Sequence, residues 1–270
     1  MIVRSRDGLR LHCVDLGSGA GAPLLLLHGF TGSHRSWPRE AVDRLAERRR
    51  VVLVDLPGHG ESDAPESAGR FAFAAVVADL TDLLDALAIP SAIWAGYSMG
   101  GRLALGAGLL APEYVSGLVL ESASPGISDS VERTARRSSD ARIADRLENG
   151  GIEAFVSDWE SMPLFASQAT LPDTVRTAQR EQRLSNDPAA LAACLRGLGV
   201  GMQPSLWEGL PHLDCPALLI VGSEDPKFVE LNRRMSKEMR GATLAIVPGA
   251  GHNVHLERPE EWAALVEGIL

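Results

Sequence analysis

Short apolar runs recur along the chain, each bounded by turn residues, at positions 2–4, 11–14, 24–27, 51–54, 92–95, 118–120, 218–221 and 244–247. From the third onward they are near-continuous rather than alternating, the pattern of strands buried on both faces of a mostly parallel sheet. The first two are more polar and are separated by Asp7-Gly8, a type I′ hairpin signal. The pattern therefore predicts an α/β fold with an eight-stranded, mostly parallel sheet that opens with an antiparallel N-terminal hairpin. Helical spacing alternates with these runs. Over 73–87, Val76, Val77, Leu80, Leu83, Leu84 and Leu87 share one face. Residues 100–110 are small and apolar all round, as suits a helix buried against a sheet, and Pro259 sits near the start of the last helix, where its missing N–H costs nothing.

The rhythm breaks between Glu121 and Pro211, where the strand signal vanishes and a long, Arg- and Glu-rich, helix-like stretch replaces it. Strand runs resume at 218. The expected organisation is one core made of residues 1–121 and 211–270, interrupted by a helical lid over 122–210. No internal repeat or interdomain linker stands out.

Composition narrows the class. A chain of 270 residues that is 45% hydrophobic and 23% charged can bury a sizeable core as one globular unit. The net charge of −9 argues against general affinity for nucleic acid or an anionic membrane, while leaving room for a local basic pocket. Cys13, Cys194 and Cys215 are scattered and odd in number, which predicts neither a disulfide framework nor a zinc motif and fits a reducing cytoplasm. Residues 1–10 carry charges where a signal peptide needs an apolar core, and the run 24–27 is far too short to span a bilayer. Gly17-x-Gly19-x-Gly21 precedes a strand instead of joining a strand to a helix, so it lacks the context of a dinucleotide site. No cofactor and no metal are expected.

The candidate chemistry starts at Gly96-Tyr97-Ser98-Met99-Gly100-Gly101, a Gly-x-Ser-x-Gly elbow directly after one strand run and directly before a helix. Ser98 must occupy a sharp turn there, and side chains at Gly96 or Gly100 would collide with neighbouring backbone. His252, in Gly249-Ala250-Gly251-His252-Asn253, follows the last strand run and is the expected base; His255, His28 and His59 are the other candidates. The acid is expected after the run 218–221, where Asp225 is favoured and Glu224 is the alternative. Two backbone donors complete an oxyanion hole: the Met99 N–H after the nucleophile, and the Phe30 N–H in the loop His28-Gly29-Phe30-Thr31-Gly32. The turn from Asp55 to Ser62 reads as structural. Arg102, one turn beyond Ser98, is informative because such a helix needs only small or apolar residues there.

Together these motifs resemble the α/β-hydrolase superfamily over the whole chain. Finer matches at Gly96 to Arg102, Asp158-Trp159, Pro163 to Ser167, Gln203-Pro204, Asp225 to Phe228 and Gly251 to His255 resemble the MenH family, the 2-succinyl-6-hydroxy-2,4-cyclohexadiene-1-carboxylate synthases of menaquinone biosynthesis. The resemblance implies a lyase that removes a ring proton from a cyclohexene and eliminates pyruvate, with Ser98 as the base and His252 activating it. It also implies carboxylate clamps at Arg136 and Arg183, beside Arg102, with Tyr97 and Trp159 lining the pocket. Arginine suits this task because its planar fork grips carboxylates bidentately. The expected partner is a small molecule with several carboxylates, bound by a monomer or weak homo-oligomer. Arg133, Arg137, Arg176 and Arg180 lie at helical spacing with the two proposed clamps, and the acidic residues interleaved with them provide for surface pairing as well. Two other readings use the same residues. One is a carboxylesterase or C–C bond hydrolase with Ser98 as a covalent nucleophile; the other is a receptor-like protein that keeps the pocket without the chemistry.

Overall fold

Seven strands build one sheet in the computed structural model, which describes residues 1–65 and 67–268. They are β1 (Ile2–Arg4), β2 (Arg10–Leu27), β3 (Arg49–Val54), β4 (Ala92–Tyr97), β5 (Val115–Glu121), β6 (Ala217–Gly222) and β7 (Ala242–Val247). The order is β1-β2-β4-β5-β6-β7, with β3 paired to β2. β1 pairs antiparallel with β2, and β4 to β7 follow in parallel.

The difference between eight apolar runs and seven strands lies in β2. Its Cys13 to Leu16 stretch matches β3 in falling order, from Val54 to Val51, whereas Leu24 to Leu27 match Val51 to Val54 in rising order. Val51 thus has a β2 neighbour on each side, and the long strand wraps around the start of β3. Glycine makes the wrap possible: Gly17 has φ +74°, and a Cβ on Gly19 would lie 2.1 Å from the Arg48 backbone. Two runs that read as separate strands are one extended segment because no turn closes between them. The opening hairpin also departs from the I′ expectation. Asp7 keeps a negative φ, only Gly8 is positive at +92°, and the loop closes by Gly8 N–H donating to the Ser5 carbonyl at 2.9 Å.

Helices α1 (Arg39–Ala46), α2 (Phe73–Ala86), α3 (Met99–Leu110), α7 (Pro226–Glu238), α8 (Val254–Glu257) and α9 (Pro259–Gly268) flank the sheet. The helices α4 (Ser130–Glu160), α5 (Asp173–Leu184) and α6 (Pro188–Leu198) lie between β5 and β6. Gly151, at φ +75°, breaks α4 into two arms. The sheet buries one core against α2 and α3, including Leu80, Leu83 and Leu103, and another against α1 and α9, including Leu45 and Trp262. Leu24 to Leu27 are wholly enclosed, each contributing roughly 2 kcal/mol by leaving water. A smaller third core, around Leu147, Phe155, Val156 and Leu191, holds the inserted helices together, and Phe30 and Trp159 pack against it. No helix among the described residues is long and apolar enough to cross a membrane.

Candidate active site

Ser98 lies between the end of β4 and the start of α3, with φ 50° and ψ −103°. Such a backbone costs of order 1–3 kcal/mol unless its surroundings impose it. Here they do. The Ser98 N–H donates to the Glu121 carbonyl at 2.8 Å, and the neighbouring glycines let backbone close in on every side. A Cβ on Gly96 would lie 2.2 Å from the Gly100 carbonyl carbon, and one on Gly100 would lie 2.0 Å from the Leu27 carbonyl oxygen. The turn thus lifts the hydroxyl above the C-terminal ends of the parallel strands, where α/β sheets present their ligand sites.

His252 reaches it from the loop after β7. Its Nε2 lies 3.2 Å from Ser98 Oγ, and its Nδ1 lies 2.6 Å from Asp225 Oδ2. With the carboxylate accepting from Nδ1–H, Nε2 presents a lone pair to the serine hydroxyl. Asp225 also caps α7, accepting from Phe228 N–H at 3.3 Å, so the helix start fixes the carboxylate. Glu224, the alternative acid, is exposed beside it. Of the other histidines, His255 is buried with Nδ1 2.9 Å from the Glu121 carboxylate, and His28 and His59 lie beneath the Phe30 loop. Glu121 therefore joins two parts of the site, its carbonyl bound to the elbow and its carboxylate to His255 in α8. Glu257 braces the loop that carries His252 by accepting the N–H of Gly251, the residue before it, at 2.8 Å. Neither glutamate carried a motif: each matters through a contact between distant segments.

Met99 is the first residue of α3, so its N–H has no carbonyl within the helix to bond. Phe30 stands opposite in the loop after β2, and both residues line a cavity of about 370 Å³ with Ser98 and His252. Tyr97, Arg102, Arg136, Trp159 and Lys227 line it as well. The Arg102 guanidinium is buried, donating to Gln203 Oε1 at 2.8 Å and to the Leu198 carbonyl at 3.1 Å. Burial, with Arg136 nearby, lowers its pKa to about 10, so it remains a cation at neutral pH. Arg136 pairs with Asp140 at 2.8 Å and stays partly open to water. Lys227, in the first turn of α7, is a cation that spacing alone did not single out, although it lies two residues beyond the acid. Cys194 also faces the cavity, but burial pushes its thiol up to about 12 and keeps it protonated.

Arg183 falls elsewhere. It is buried, 3.1 Å from Glu160 and over the Phe165 ring, and it lines a neighbouring cavity of about 710 Å³. Phe30, Tyr97, Trp159 and Phe165 border both spaces. The structure thus brings Ser98, His252, Phe30, Met99, Tyr97, Arg102, Arg136 and Trp159 around one cavity, with Asp225 bonded to His252 outside its lining, and sets Arg183 behind the aromatic wall. Arg180 and Arg176, three and seven residues before it, gave no sign of this, because the wall and Glu160 come from other elements.

The sequence profile of the alpha/beta hydrolase family matches residues 24–265. An Enterobacter sp. (strain 638) protein named 2-succinyl-6-hydroxy-2,4-cyclohexadiene-1-carboxylate synthase is 35% identical over 255 residues, 93% of this chain and 94% of its own. A Bacillus subtilis (strain 168) protein that bears the same synthase name provisionally is 41% identical over 264 residues, 98% of this chain and 96% of its own. Among solved structures, MenH from S. aureus superposes with a TM-score of 0.92 at 34% identity, covering 96% of this chain and 97% of that one.

Proposed function

Because the chain belongs to the alpha/beta hydrolase family, and within it to the 2-succinyl-6-hydroxy-2,4-cyclohexadiene-1-carboxylate synthases, we propose that it is the carbon–oxygen lyase forming that diene in menaquinone or phylloquinone biosynthesis. Its substrate is 2-succinyl-5-enolpyruvyl-6-hydroxy-3-cyclohexene-1-carboxylate. The observation that carries this reading is the pairing of an activated serine with three cations, Arg102, Arg136 and Lys227, around one cavity. A neutral ester gains nothing from such a wall, whereas a substrate with three carboxylates requires one.

In the proposed reaction Ser98 passes its proton to His252 Nε2 as its oxygen takes a proton from the ring. The C2–H electrons form a double bond to C3, the existing C3–C4 double bond shifts to C4–C5, and the C5–O bond to the enolpyruvyl group breaks. The leaving enolate is protonated to pyruvate, with the imidazolium as the source. Asp225 stabilises the imidazolium while it exists. The Met99 and Phe30 amides face the succinyl ketone oxygen, on which charge accumulates as the proton leaves. Arg102, Arg136 and Lys227 hold carboxylates, Tyr97 and Trp159 enclose the ring, and Arg183 serves the portion that extends past Phe165. Residues 122–210 act as the lid and residues 1–121 with 211–270 as the core. All these groups come from one chain, so a monomer suffices. The free cysteines fit a reducing cytoplasm.

The test is pyruvate release from the cyclohexene substrate, followed by coupling to lactate dehydrogenase. Wild type should turn over, and Ser98→Ala should lose roughly 1,000-fold or more in kcat, or ~4 kcal/mol. Absence of pyruvate, together with an acyl-enzyme burst on a nitrophenyl ester, would replace the lyase with an esterase.

A further inference from the structure

Away from the cavity, three segments converge on one buried carboxylate. Asp55, directly after β3, is fully enclosed and accepts four donors. Its Oδ2 is 2.9 Å from His12 Nδ1, its Oδ1 2.9 Å from His34 Nδ1 and 2.6 Å from His34 N–H, and Oδ2 also takes the Glu61 N–H at 3.0 Å. Gly60, at φ +55°, lets the chain pass over it, since a Cβ there would lie 2.3 Å from the carboxylate. The Asp55 oxygens already accept two backbone N–H groups and act as the acceptor for each ring as well, so both imidazoles donate through Nδ1 and leave Nε2 for another partner. His12 Nε2 lies 3.8 Å from Glu61 Oε2, and one ligand atom from each of His12, His34 and Glu61 lies within 4.8 Å of the others.

We propose that His12, His34 and Glu61 form a divalent transition-metal site, with zinc the best match to two imidazoles and a carboxylate. An imidazole whose second nitrogen is held by a carboxylate is the usual form of a zinc-bound histidine, and here one carboxylate orients both rings. A fourth position remains for water. The competing cation is Arg35, 3.6 Å from Glu61, but both side chains are largely exposed and the pair is weak. None of the three ligands lines the Ser98 cavity. The ion would instead pin β2, the segment following the Phe30 loop, and the turn after β3 to one another, a bracing role independent of the lyase reading. No motif revealed it, because the ligands lie 22 and 27 residues apart in sequence and meet only through Asp55.

The test uses the full, untagged chain freed of metal with a chelator. Zinc should bind at one equivalent and raise Tm by roughly 5 °C at a hundredfold excess over Kd. Cobalt should give the visible absorption of a tetrahedral site. His34→Ala should abolish binding, Glu61→Gln should weaken it roughly tenfold or more, and His212→Ala, outside the cluster, should leave it unchanged. The proposal is overturned if millimolar zinc leaves the wild-type Tm unmoved, or if His34→Ala binds one equivalent as tightly. Should His34→Ala fail to fold, Glu61→Gln decides alone, since its side chain is exposed, and unchanged affinity there rejects the site.

Discussion

The two walls of the cavity are built on different principles. On the sheet side, Ser98, Asp225 and His252 stand on strand ends and loops whose backbone is hydrogen-bonded into place, with both His252 nitrogens facing the other two residues and the second Asp225 oxygen held by the Phe228 N–H. On the inserted side, Arg136, like Arg183 in the neighbouring cavity, stands on helices with their own small core, and each is already bound to an acid of that insertion, Asp140 or Glu160. The sheet side holds a fixed geometry with nothing left to rearrange. The inserted side holds charges whose partners a carboxylate ligand would have to replace. Arg102 spans the two, rising from the elbow helix to the Leu198 carbonyl and Gln203 of the inserted region.

If that contrast is right, removing the bridging cation should cost more than removing one on the inserted wall. Arg102→Ala is expected to lower kcat/KM by roughly 2–4 kcal/mol, because it removes a buried cation that faces the substrate and strips the Leu198 carbonyl and Gln203 of a donor. Arg102→Lys should recover only part of this, since a point charge cannot occupy both acceptors and a carboxylate at once. Steady-state pyruvate release measures both. An Arg102→Ala enzyme within a factor of a few of wild type would erase the distinction between the walls.

The same contrast explains what could be read from the chain. The elbow and the approach of Asp225 and His252 to Ser98 were legible because glycines, strand ends and chain order constrain local backbone, and local backbone leaves a pattern in sequence. Val51 to Val54 and Leu218 to Val221 announced their strands by unbroken apolar character, since both faces are covered. The wrap of β2 through Gly17 to Gly21 was not legible: glycines mark a bend but do not say whether pairing continues through it. Nor was the separation of Arg183 from Arg136, because helical spacing reports which residues share a face and not which aromatic wall stands between them. Glu121, Glu257 and Asp55 were silent for a related reason. Each acts by joining segments far apart in sequence; Asp55 was legible only as the start of a structural turn, not as the point where His12 and His34 meet.

A second test sets the sheet side against acid. His28 and His59 are buried beside the Phe30 loop, where His28 Nε2 accepts the Leu56 N–H at 3.0 Å and His59 Nδ1 donates to the Pro57 carbonyl at 3.0 Å. Burial lowers both, with His59 falling to about 3. Between that value and the ordinary imidazole range near 6.5, the unfolded chain binds a proton that the folded chain refuses. Stability is therefore unaffected above about pH 7 and lost progressively as pH falls from about 6.5 toward 3. At pH 5 His59 alone should cost about 2 kcal/mol, a drop in Tm of roughly 4–8 °C, with His28 adding in the same direction. Thermal melts at pH 7 and 5 measure it, and His59→Gln should flatten the slope. An equal slope in that variant would assign the acid sensitivity elsewhere.

The smallest effect is expected on the inserted wall and tests whether its acids compete with the ligand. Asp140 is buried, so Arg136 is held by a carboxylate that water reaches poorly, yet Arg136 itself is 41% exposed and the pair is discounted accordingly. Replacing Asp140 by Asn keeps shape and hydrogen bonding to the Gly201 N–H while removing the charge that neutralises Arg136. The freed guanidinium should then bind a substrate carboxylate more tightly in ground and transition state alike. KM should fall severalfold with kcat nearly unchanged, an effect of about 1 kcal/mol or less that shrinks as salt is added. Arg136→Ala should move KM in the opposite direction by a similar amount. If Asp140→Asn instead lowers kcat and leaves KM alone, the acid is positioning the arginine for the reaction and not competing for it, and the inserted wall is as preorganised as the sheet.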